Sequence, residues 1–140
     1  LEKYQLSSDL LKVEITESTY VENNDKIIRT VKQLRDAKLW VMMDDFGSGY
    51  TTFGDLQNLD ISIIKIDKSI TQNSVTETGF KILKNIIQTA KDIGFKTLCE
   101  GIETKEQEDA AIEAGCDLLQ GFYYYKPMSV ATLENLFDNV

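Results

Sequence analysis

Residues 39–54 read LWVMMDDFGSGYTTFG. A short apolar run stops abruptly in two adjacent carboxylates, Asp44 and Asp45, and a glycine-rich turn, Phe46-Gly47-Ser48-Gly49, follows at once. A brief apolar run bounded by turn residues is the pattern of a buried strand. A strand of that kind ending in paired acids, before a loop whose backbone can approach a ligand closely, suits a cation and phosphate site. Taken alone, the stretch fits equally a strand end with two solvated acids.

Working outward, residues 11–16 alternate apolar and polar, as a strand does, and the strand within the opening stretch covers about 39–44. Residues 61–66 are dense in isoleucine, 95–99 form a fourth strand and 118–122 a fifth. Between them lie helical patterns. Asn24 or Asp25 can cap a helix to about Ala37, and 51–59 holds a short helical turn. A longer helix over 76–93 carries the stripe Phe80, Leu83, Ile86, Ile87 and Ala90, with Gly94 as its stop. Thr104 and Gln107 make a capping box for a helix to about Ala114, and Ser129 caps a last one. Residues 1–6 resemble the tail of another helix. Strand alternating with helix five times predicts an α/β fold of parallel strands joined by right-handed helical crossovers.

Composition narrows the chemistry. The 140 residues carry 15 Lys and Arg against 23 Asp and Glu, a net charge of −8, which argues against a nucleic-acid polymer or an anionic membrane as partner. Histidine is absent, so Ser-His and His-metal chemistries are excluded for these residues. Cys99 and Cys116 have no metal-type spacing and read as reduced core thiols of a cytoplasmic protein. No apolar run approaches the roughly 20 residues that cross a bilayer.

Each strand ends in a residue that a buried strand rarely uses: Glu14, Asp44, Lys65, Glu100 and Gln120. Parity puts Asp44 on the face of Met42, Lys65 on that of Ile61 and Ile63, and Glu100 on that of Leu98, with Asp45 pointing the other way or joining the loop. In a parallel barrel the C-terminal strand ends converge on one mouth. Four carboxylates gathered there repel one another unless cations intervene, and hard oxygen donors favour Mg²⁺, Mn²⁺ or Ca²⁺. A structural ion-pair cluster is the alternative, and a barrel lyase with Lys65 as Schiff-base former is a further one, against which the carboxylates speak.

The ordered series Glu14-Ile15-Thr16-Glu17, DDFGSGY at 44–50, Ile64-Lys65-Ile66-Asp67, Glu100-Gly101-Ile102-Glu103-Thr104, Gln120-Gly121-Phe122 and Lys126-Pro127 resembles the EAL-domain family of bacterial cyclic-di-GMP phosphodiesterases. That resemblance implies a parallel (β/α) TIM-barrel type of α/β fold, present as an incomplete barrel of about five strands, and hydrolysis of cyclic-di-GMP to linear pGpG on a two-metal Mg²⁺ or Mn²⁺ site. Glu14, Asp44 and Asp45 look like metal ligands, and Lys65 like the residue that orients or helps activate the attacking water. Glu100 resembles the general base or a further ligand, and Asp67 the acid supporting that centre. Gln120 looks like a contact to water or substrate, and Glu17 like the anchor of the DDFGSGY loop, which in the family couples dimer contacts to metal binding. Glu103 reads instead as an acid favouring the start of the following helix. A homodimer is expected, and sensor or GGDEF-type domains are compatible attachments. The family's Glu-Ala-Leu stretch and a strand-borne asparagine ligand have no counterpart in residues 1–140. The chain is therefore expected to be the C-terminal portion of a single EAL domain, near inactive alone. A catalytically degenerate module that binds cyclic-di-GMP or a protein is the other reading.

Overall fold

The computed structural model describes residues 3, 5, 7–49 and 51–138. The helix tail expected over 1–6 falls largely outside the described residues, as does Tyr50 of the DDFGSGY motif.

Five strands form one sheet: β1 (Lys12–Thr16), β2 (Trp40–Phe46), β3 (Ile63–Ile66), β4 (Lys96–Cys99) and β5 (Leu118–Leu119). They lie side by side in chain order, and every neighbouring pair is parallel. A doubly wound sheet reverses its strand order part-way, whereas the wall of an α/β barrel does not. The order here is that of a barrel wall, five strands of it.

The connections are helical: α1 (Glu17–Glu22), α2 (Asn24–Asp36), α3 (Phe53–Leu56), α4 (Lys68–Asn73), α5 (Glu77–Ile93) and α6 (Lys105–Glu113), with α7 (Val130–Asp138) after β5. Local chemistry sets their ends. Thr76 Oγ1 accepts the Gly79 N–H at the start of α5, and Gly94, at φ 104°, closes it in the left-handed conformation that glycine adopts freely. The capping box of α6 forms as expected, Thr104 and Gln107 each bonding the other's backbone N–H. Helix α2 begins at Asn24 after Asn23, one position earlier than the residues expected to cap it. Helices α1 and α4 were not expected. Each has six residues, too few for an apolar period to show, and each is started by a strand-end side chain: Thr16 caps α1 and Asp67 caps α4.

The sheet has two faces, as the strand period requires. Val41, Met43, Ile64, Ile66 and Cys99 face the helices and bury against Val31, Leu83, Ile87, Ala90 and Ala111. The other face carries a thinner layer, Met42, Ile63 and Leu98, with Trp40 beside it. Registered pairs Glu14–Met42, Met42–Ile63 and Lys65–Leu98 put Glu14 and Lys65 on this second face. Among the described residues no helix is long and apolar enough to cross a membrane.

Candidate functional site

Lys65, near the end of β3, is only 3% exposed. A buried ammonium is costly unless paired, and this one is paired three times over. Its Nζ lies 2.8 Å from Glu14 Oε1 of β1, 2.8 Å from Asp44 Oδ1 of β2, and 2.6 Å from Glu100 Oε1, just past β4. Burial alone would lower the lysine pKa, but the hydrogen bonds to Asp44, Glu100 and Glu14 outweigh it and hold the amine protonated. Carboxylates from three strands thus meet one amine above the apolar layer of Met42, Ile63 and Leu98.

Asp45 joins them by breaking the strand rule. Simple alternation would send adjacent Asp44 and Asp45 to opposite faces. The β2–β3 register shifts between Met43 and Phe46, and Asp45 adopts φ 57°, a conformation that Asp tolerates better than most residues. As a result, oxygens of Asp44, Asp45 and Glu100 lie within 4.8 Å of one another. Among the described residues Asp45 has no ion pair or side-chain hydrogen bond. Desolvation, then the charges of Asp44 and Asp67, raise its pKa above the ordinary carboxylate value. Desolvation also raises Glu100, against the pull of Lys65. Four carboxylates face one ammonium. The excess negative charge, all on hard oxygen donors with no thiolate or imidazole among them, fits a divalent hard cation.

Glu17 opens α1 and is 1% exposed, not a solvated loop acid. Its carboxylate accepts the Ser48 hydroxyl at 2.9 Å and the backbone N–H of Thr51, gripping the glycine-rich loop from below. The loop is held on its other side by contact between Gly47 and Ile70 of α4. Gly47 has φ 96°, and a Cβ there would overlap the Ile70 side chain.

Asp67 lies one residue past β3. Its carboxylate accepts the Ser69 N–H at 2.9 Å, capping α4, and its charge reaches Asp45. Gln120 is not a strand-interior amide, because β5 ends at Leu119. Its backbone stitches the fold, donating to Cys99 O at 2.9 Å and accepting from Ile102 N at 3.1 Å, while its side chain is exposed. There it lines a cleft of about 220 Å³ shared with Glu100, Lys68, Glu103 and Phe122. Phe122 closes the Gln120-Gly121-Phe122 motif, whereas Lys68 carries no signal in sequence that would single it out. Glu103, read from sequence as favouring the helix start, precedes the Thr104 cap and faces this cleft.

A family model described as EAL domain matches residues 1–127. The chain belongs to the EAL family. It is 31% identical over 135 residues to the cyclic di-GMP phosphodiesterase NbdA of Pseudomonas aeruginosa, an alignment covering 96% of this chain and 17% of NbdA. The PaMucR phosphodiesterase in its c-di-GMP complex superposes with a TM-score of 0.86 at 30% identity, over 95% of this chain and 54% of that one. The manganese/cy-diGMP complex of Klebsiella pneumoniae BlrP1 gives a TM-score of 0.80 at 28% identity, over 88% of this chain and 32% of that one. This EAL chain therefore spans between a sixth and about half of these relatives.

Proposed function

We propose that this EAL chain carries part of the active site of a metal-dependent phosphodiesterase that hydrolyses cyclic-di-GMP to linear pGpG. One observation supports this above the others: four carboxylates and one buried lysine, carried on separate parallel strand ends, crowd one rim with an excess of negative charge. Relatives named as cyclic di-GMP phosphodiesterases, and a neighbour holding manganese and the dinucleotide, lend it further support.

In this reading Glu14, Asp44 and Asp45 hold Mg²⁺ or Mn²⁺, which would neutralise the phosphodiester and lower the pKa of the attacking water. Lys65 keeps the carboxylates in register, orients the attacking water through them, and adds positive charge where negative charge develops. Glu100, lifted in pKa by burial, accepts the water's proton. Asp67 keeps the start of α4 in place beside Asp45, Gln120 contacts water or substrate from the cleft, and Glu17 anchors the glycine-rich loop. The remaining ligands would come from barrel strands beyond these five, so the isolated 140 residues would turn over near background. A cytoplasmic homodimer, with sensor or GGDEF-type domains attached, is the setting proposed for the whole protein.

The experiment is chromatography of guanine nucleotides after incubating the complete domain with cyclic-di-GMP and Mn²⁺. Linear pGpG is expected, abolished by chelation and reduced at least about 100-fold in Lys65→Met or Asp44→Asn. Tight dinucleotide binding by the complete domain without turnover would overturn the enzymatic reading and make this a binding module.

A further inference from the structure

Phe122, two residues beyond Gln120, is 54% exposed and lines the cleft of about 220 Å³ beside Glu100. The turn that carries it is fastened at both ends. At the inner end, a Cβ on Gly121 would come within 2.0 Å of Ile102 O, so glycine alone lets this backbone lie against the segment after β4. Two hydrogen bonds close that approach. Ile102 N–H donates to Gln120 O at 3.1 Å, and Tyr123 N–H donates to Ile102 O at 2.9 Å. The N–H groups of Tyr124 and Tyr125 fold back on Gly121 O at 3.2 and 3.4 Å. The outer end is tied to a different element. The Tyr124 hydroxyl donates to Glu108 Oε1 of α6 at 2.7 Å, and Lys105 Nζ holds Glu108 Oε2 at 2.9 Å. The Glu108 side chain is only 16% exposed. A carboxylate so enclosed, with an ammonium on one oxygen and a hydroxyl on the other, is a fixed anchor. The Tyr123 and Tyr124 rings meet edge to face at 5.5 Å, and Lys126 Nζ lies 5.7 Å from the centre of the Phe122 ring.

We propose that Glu108 and Tyr124 are positioning residues: their hydrogen bond fixes residues 121–125 against α6 and so holds the Phe122 ring as a wall on which a base of the dinucleotide substrate stacks. The identity of the ligand rests on the phosphodiesterase reading; the positioning rests on the bonds of the turn. Backbone contacts secure Gly121 and Ile102, the Tyr124 hydroxyl secures the far side, and Phe122 lies between them. With the far side released, the ring samples more orientations, and a bound base must then order it, which weakens binding. An aromatic face accepts any base, because every base has a π face. Among the described residues neither Glu108 nor Tyr124 is bonded to Lys65 or to the carboxylates around it. The effect therefore falls on binding of the substrate and not on the chemical step.

The test is a double-mutant cycle on the complete domain, read by calorimetric binding of cyclic-di-GMP, by kinetics in Mn²⁺ and by amide exchange over 121–126. Tyr124→Phe and Glu108→Ala should each weaken binding about 3- to 10-fold, the loss expected for one hydrogen bond. KM should rise in step, with the loss absent from kcat. Exchange of the Tyr123 and Tyr125 amides should quicken. Glu108→Gln, whose amide oxygen still accepts the hydroxyl, should recover most of what Glu108→Ala loses. Phe122→Ala should weaken binding about tenfold or more. On that background Tyr124→Phe should add less than about twofold, because the ring it positions is gone. If Phe122→Ala does not fold, Phe122→Leu takes its place in the cycle. The proposal fails if Tyr124→Phe weakens binding equally with and without the Phe122 ring, or if it changes neither binding nor exchange. A wild-type domain that neither binds nor cleaves cyclic-di-GMP would instead sink the phosphodiesterase reading, and with it the ligand named for Phe122.

Discussion

Replacing Lys65 with methionine keeps the side chain's bulk and removes the ammonium shared by Glu14, Asp44 and Glu100. The structure sets the size of the effect. Each contact, at 2.6 to 2.8 Å, is worth roughly 6 kcal/mol of Coulomb attraction at an effective dielectric of about 20, before desolvation is subtracted. With the cation gone, oxygens of Asp44, Asp45 and Glu100 remain within 4.8 Å of one another, and each ionised pair then repels by roughly 3–4 kcal/mol. The site escapes part of that by taking up a proton. Protonating a carboxyl of ordinary pKa at pH 7 costs about 4 kcal/mol, and that cost caps the penalty for the first proton. A loss of about 3–5 kcal/mol in unfolding free energy is therefore expected, the range typical when one partner of a buried ion pair is removed. Two rescues distinguish this origin from a packing defect. In Lys65→Met the carboxyls have folded pKa values raised above their unfolded ones. Their favourable contribution is thus present in acid and lost as pH rises, so the variant should recover stability from pH 7.5 to 5. Mn²⁺ should raise its urea midpoint more than that of the wild type. Urea titrations at both pH values, in chelator and in Mn²⁺, measure all of this. A variant with the wild-type midpoint at pH 7.5 in chelator would show that the carboxylates do not share the space described.

Further perturbations separate the parts of the site. Asp45→Asn should leave metal-free stability unchanged or slightly raised, since it removes a repelled charge, yet weaken Mn²⁺ binding at least about tenfold by calorimetry. Glu17→Ala strips the Ser48 hydroxyl and Thr51 N–H of their acceptor; a loss of about 2–4 kcal/mol and faster amide exchange over 47–51 are expected, with Glu17→Gln intermediate. Gly121→Ala would push a Cβ into the Ile102 backbone and should cost about 1–3 kcal/mol or more in thermal unfolding. Burial raises the Asp117 pKa, but hydrogen bonds from Thr97 N–H and hydroxyl and the Lys91 charge outweigh it, leaving the carboxyl below its ordinary value. That contribution is present above the unfolded pKa of about 3.9 and lost as pH falls through the lower folded one; Asp117→Asn should flatten the acid limb of a stability profile.

Much of the molecule was legible before any coordinates. Apolar runs between helical periods specify parallel strands, because a strand covered on both faces has little room for polar side chains except at its ends. The same constraint makes Glu14, Asp44, Lys65 and Glu100 conspicuous, and one mouth gathers them because all the strands point the same way. Caps on α5 and α6 were readable for a similar reason: they are local, within four residues of the groups they satisfy.

What the sequence left undecided depends on neighbours distant along the chain. Parity left Asp45 pointing away from Asp44 or joining the loop, and the register shift against β3 and a left-handed backbone bring it into the cluster. Glu17 could have been any surface acid until the loop folded down on it from more than thirty residues away. Glu103 and Lys68 come to one cleft, and Cys116 packs against the core cluster that holds Cys99, through tertiary packing rather than through any spacing between them. Local order follows from each residue's own backbone and side-chain preferences, so a single chain segment determines it. A charged site is a balance among groups from several segments, and its members are fixed only when tertiary packing sets the distances over which their charges act.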